Sequence, residues 1–69
     1  MTTDEVIDLL TLVAGFDQRT VGHADVTAWD LVARLENWTL PVAMRAVVEH
    51  HRAHAQRGRI RPAHVTDQI

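Results

Sequence analysis

The sequence predicts an all-α fold, a compact bundle of three main helices plus a short C-terminal helix, and three observations predict it. Apolar residues recur at intervals of three and four along separate stretches of the chain. Capping residues, glycine or proline bound those stretches. The longest of them, from Thr39 to Gly58, carries helix signals at both ends. A chain of 69 residues makes one domain, spanning 1–69, and buries only about 60% of the surface its unfolded form exposes. With no cysteine there is neither a disulfide framework nor a thiolate metal site, so the fold must rest on its apolar core or on another chain.

Helix one is expected from about Thr3 to Ala14. Thr2-x-x-Glu5 forms a capping box, Val6, Leu9, Leu10 and Val13 share one face opposite Asp4, Asp8 and Thr11, and Gly15 is the expected stop. The segment from Phe16 to Ala24 has no period and reads as a loop whose one large apolar residue, Phe16, tucks back onto the core. Helix two begins at Asp25 as its cap and runs to about Asn37. Ala28, Trp29, Leu31, Val32 and Leu35 lie on its expected buried side, with Thr27, Asp30, Arg34 and Asn37 outward and Asp30 paired with Arg34 at i,i+4. The turn from Asn37 to Leu40 is short, which makes helices two and three expected neighbours with Trp29 between them.

Helix three should be central. Thr39 caps it, Pro41 sits in the first turn where its missing N–H does no harm, and Gly58 follows the last turn. At 100° per residue Arg45, Glu49, Arg52 and Gln56 form one narrow polar strip, and apolar residues cover most of the remainder. His50 and His54 fall inside that apolar sector. Arg59-Ile60-Arg61 is extended, and Pro62 opens a terminal helix to Gln68 with Val65 and Ile69 inward. The expected structural core residues are therefore Trp29, Leu35, Val47 and His50.

The net charge of −2 hides an asymmetry. Residues 1–40 carry seven acids against Arg19 and Arg34, while 41–69 carry five arginines against Glu49 and Asp67. Such a molecule suits head-to-tail self-association, an acidic protein partner or nucleic acid. The apolar runs are far too short to span a membrane, and the acidic start Met-Thr-Thr-Asp-Glu is unlike a signal peptide, so a soluble cytoplasmic protein is expected.

Chemistry is thinly represented. Serine, cysteine and tyrosine are absent, which removes the usual nucleophiles, and no glycine-rich phosphate loop is present. His50 and His54 have a metal-ligand spacing, but a zinc site needs three or four convergent ligands, so no metal, no cofactor and no catalytic residue is assigned. Helices two and three could form a helix-turn-helix, yet the first half of helix three is largely apolar and Glu49 stands between Arg45 and Arg52, where it would repel phosphates. The candidate binding surface is the cluster Arg52, Arg57, Arg59 and Arg61, with His51, His54 and His64 close by in sequence. Its bland counterpart is a solvated C-terminal turn whose cations suit the helix macrodipole.

Four motifs, Phe16-Asp17-x-Arg19, Asp25-x-x-Ala28-Trp29, Ala43-x-x-Ala46-Val47-x-x-His50-His51 and Pro62-Ala63-x-Val65, together resemble a small helical module of actinobacteriophage proteins. That module is similar to the N-terminal part of phage replisome organisers and helicase loaders. The resemblance implies that Asp17 and Arg19 form a structured loop, that Trp29 and His50 belong to the inter-helix core, and that Pro62 starts a docking helix. This chain departs from the pattern at His51, where the module tends to carry an aromatic, and lacks the long second region of the loaders. The expected function is accordingly a non-enzymatic adaptor in phage DNA replication that binds a replication or host protein within the host bacterium. The alternative is a small DNA-binding regulatory protein that uses the C-terminal arginines. The adaptor reading predicts a leftover apolar patch around Met44, Val48 and Ala55.

Overall fold

The structure, a computed structural model, describes residues 1–53 and 59–69. Within them the chain forms four helices, α1 (Thr3–Asp17), α2 (His23–Leu35), α3 (Leu40–Ala53) and α4 (Pro62–Gln68), in an all-α bundle. The expected continuation of α3 to Gly58 lies outside the described residues, as do His54, Ala55 and Arg57.

Helix α1 begins as its sequence dictates. Thr2 Oγ1 accepts the Glu5 N–H at 3.2 Å and Glu5 Oε1 accepts the Thr2 N–H at 2.9 Å, closing the capping box. Val6, Leu9, Leu10 and Val13 are fully buried, each such side chain contributing roughly 1.5–3 kcal/mol of transfer free energy. Gly15 does not stop the helix, which continues through Phe16 and Asp17 to a left-handed Gln18 at φ 61°. A left-handed residue is what ends a helix in this way, and here a glutamine supplies it. The Gln18 amide donates to the Gly15 carbonyl at 3.3 Å. Phe16 is therefore helical, and its side chain is exposed instead of entering the core.

Helix α2 starts two residues earlier than its expected cap. Gly22 is the N-cap, and Asp25 sits at the third helical position, where Oδ2 accepts the Gly22 N–H at 3.1 Å. The carboxylate still serves the helix start, from inside the first turn. The helix ends at Leu35, because Asn37 adopts φ 55°. Trp38 N–H then reaches the Ala33 carbonyl at 3.0 Å and Asn37 N–H the Arg34 carbonyl at 3.3 Å, a Schellman arrangement. That turn throws Trp38 into the core, edge-on to Trp29 with ring centroids 6.2 Å apart.

Helix α1 is the shared wall of the bundle. It packs on both α2 and α3, and α3 packs on α4, whereas α2 and α3 share no comparable interface despite their short connection. The expected placement of Trp29 between helices two and three is corrected accordingly: it lies between α2 and the Trp38 turn. Ala43, Ala46, Val47 and His50 are the buried residues of α3. Ile60 and Val65 close the core from the C-terminal side, while Ile69, expected inward, is exposed.

Candidate functional site

Arg19 locks the α1–α2 loop to the segment before α4. Its guanidinium donates to Asp17 through Nε at 2.9 and 3.0 Å and through Nη2 at 2.6 Å, and Nη2 also donates to the Ile60 carbonyl at 2.6 Å. Both side chains are largely buried, and the guanidinium carbon stands 5.9 Å from the centroid of the Trp29 ring. Burial opposes ionisation of Asp17, but the hydrogen bonds and positive charge of Arg19 outweigh it and hold the carboxyl below the ordinary carboxylate range. The pair thus joins residues 41 positions apart in sequence and sets the exit of α1.

The same clamp forms one wall of an open groove of about 770 Å³ between α2 and the segment leading into α4. Arg59 and Arg61 stand at its rim. They flank the fully buried Ile60, so the alternation of an extended stretch sends both outward. Asp25, Ala28, Trp29 and Pro62 line its walls. His64 also lines it, and its Nδ1 accepts the Arg61 N–H at 2.9 Å.

The arginines read from the sequence as one cluster are divided by the fold. Arg59 and Arg61 share this groove, and Arg57 lies outside the described residues. Arg52 stands 3.9 Å from Glu49 and lines a separate cleft of about 360 Å³ with Phe16, Val48 and His51. Phe16 and His51 stack there with centroids 4.5 Å apart, and His51 Nδ1 lies 3.0 Å from the Val47 carbonyl. The leftover patch expected on α3 includes this exposed Val48, while Met44 is only partly buried against the core and Ala55 is outside the described residues.

Of the four expected core residues, Trp29, Val47 and His50 are buried, and Leu35 is not: 71% of its surface is exposed. Leu31, also expected inward, is 57% exposed, and Ala28 is exposed as well. The correction has a geometric cause. Helix α2 is apolar on two nearly opposite faces, and α1 and the Trp38 turn occupy only the one that carries Trp29 and Ala33. The outer face presents Ala24, Ala28, Leu31 and Leu35 at successive intervals of four, three and four. His50 lies against His64, the rings stacked 4.5 Å apart, where α3 meets α4. Among the described residues no group of three potential ligands could hold a metal ion.

From the sequence Trp38 carries no assigned place, and Ala28, Leu31 and Leu35 are assigned to the buried side of helix two and not to a second face. The signal for the face was present, since Ala24, Ala28, Leu31 and Leu35 form a stripe of their own. For Trp38 the signal was Asn37, a residue tolerant of the left-handed region, directly before an aromatic. Among the described residues no helix is long and apolar enough to cross a membrane. No protein-family model, curated protein or solved structure matches this chain.

Proposed function

We propose that this chain is a non-enzymatic interaction module that docks one amphipathic helix of a protein partner on the outer face of α2. The observation that carries the reading is the stripe Ala24, Ala28, Leu31 and Leu35, whose 3–4 spacing is the one at which helices interlock and whose two leucines face solvent. Charge specifies the partner further. Glu36, next to Leu35 at one end of the stripe, is exposed and makes no ion pair among the described residues, so the complementary helix carries leucines at 3–4 spacing flanked by basic residues. The setting implied by the resemblance is phage DNA replication, as a helicase-loader-like adaptor in the host cell, and its support is the set of motifs quoted above.

The alternative, a small DNA-binding protein using the C-terminal arginines, draws support from the exposure of Arg59 and Arg61. Against it stand the separation of Arg52 onto another cleft and the presence of Asp25 beside Arg59 and Arg61. A synthetic helical peptide with leucines at 3–4 spacing and lysine flanks tests the primary reading. It should bind saturably, and the Leu31→Glu/Leu35→Glu variant should lose that binding while keeping its helical circular dichroism. Equal binding of a glutamate-flanked peptide would overturn the reading. So would sedimentation showing that the chain pairs with itself through this face.

A further inference from the structure

We propose that the groove between α2 and the segment Arg59–Pro62 is a binding site for a phosphomonoester of nucleotide size. Its volume of about 770 Å³ falls within the range of small-molecule sites, roughly 300–1,000 Å³. Three features of its lining select the ligand.

The first is the pair of rim cations. Arg59 and Arg61 are exposed and form no ion pair among the described residues, and two residues of extended chain set them roughly 7 Å apart. Two guanidinium forks match the double charge of a phosphomonoester, whereas a carboxylate would need only one. Arg19 does not add to this count, because Asp17 neutralises it; its task is positional, holding the Ile60 carbonyl and with it the backbone between the two rim arginines.

The second is Asp25 in the same groove. Its Oδ2 accepts the Gly22 N–H, and Oδ1 takes no hydrogen bond among the described residues, leaving an acceptor for an amino or hydroxyl group. A carboxylate there repels a continuous polyanion yet favours a ligand that is anionic at one end and a hydrogen-bond donor elsewhere. That asymmetry selects a free nucleotide over a nucleic-acid strand.

The third is the apolar wall of Ala28 and Pro62, backed by the nearly buried Trp29, which suits a planar base. The site shares Ala28 with the docking face of α2 but does not depend on it.

Isothermal titration of the full chain with AMP, adenosine, inorganic phosphate and a thymidine oligonucleotide tests the site. AMP should bind saturably and at least tenfold more tightly than either adenosine or inorganic phosphate. Each of Arg59→Gln and Arg61→Gln should weaken it by roughly tenfold. Both positions are exposed, so these variants should retain the helical spectrum of the parent. The Leu31→Glu/Leu35→Glu variant should bind AMP unchanged, which separates this site from the docking face. Equal affinity for adenosine and AMP would overturn the proposal, as would no saturation by millimolar AMP. Oligonucleotide binding stronger than AMP, with a steep salt dependence lost in the arginine variants, would overturn it in favour of a nucleic-acid track.

Discussion

The two faces of α2 have nearly the same apolar character and opposite fates. The inner face, Trp29 and Ala33, is closed over by α1, the Trp38 turn and the Arg19 guanidinium. The outer face, Ala24, Ala28, Leu31 and Leu35, meets solvent. What separates them is the direction in which the chain leaves each end of the helix. The left-handed Asn37 turns Trp38 back under one side, and the Arg19 clamp ties the other end to Ile60 on that same side. Amphipathic patterning identifies faces that gain from being covered, and a small bundle does not have enough elements to cover every one.

The comparison breaks most readily at Trp29. Its replacement by alanine should cost about 3–5 kcal/mol and lower the melting temperature by at least about 12 °C. A drop of only a degree or two would mean that the inner face is not the one that matters. Smaller, but still large, is the expected effect of Arg19→Met, which strands a buried Asp17 carboxylate and should cost about 2–3 kcal/mol at neutral pH.

Acid sharpens that second test. Asp17 has a depressed pKa in the folded chain, so its pairing stabilises the fold above about pH 4 and the contribution disappears as pH falls further. Denaturant titrations of the parent and Arg19→Met should therefore converge as the pH falls below about 4. A gap that stays constant there would show that the clamp stabilises by packing alone.

Gly15 probes the neighbouring element, α1. It lies within the helix, and a methyl group added there would meet no atom within 4 Å. Gly15→Ala should stabilise by about 0.5–1 kcal/mol. Destabilisation in thermal melts would mean that the helix does end there. The smallest effect belongs to the outer face: Leu31→Gln and Leu35→Gln should each change stability by less than about 0.5 kcal/mol. A loss of more than 1.5 kcal/mol in either would place that leucine in a core and remove the basis for the docking face.

Much of the bundle was legible in the chain because it follows from local rules. The Thr2–Glu5 box, the buried quartet of α1, the Asp30–Arg34 pair at 3.0 Å and the helix opened by Pro62 each depend on residues within a turn or two of one another. The groove was only half legible. Arg59 and Arg61 stood out as cations, but their meeting with Asp25 and Trp29 joins chain segments thirty or more residues apart.

By itself the sequence determined the helical class, the starts of α1, α3 and α4, and which residues are apolar, since caps and 3.6-residue periodicity act over a few ångströms. Tertiary structure alone decided where α1 ends, which apolar face of α2 is covered, and that α1 is the wall shared by α2 and α3. The Arg19–Asp17–Ile60 clamp shows the reason. Its bond from Arg19 to the Ile60 carbonyl joins groups 41 residues apart, so no local window of the chain contains both sides of it.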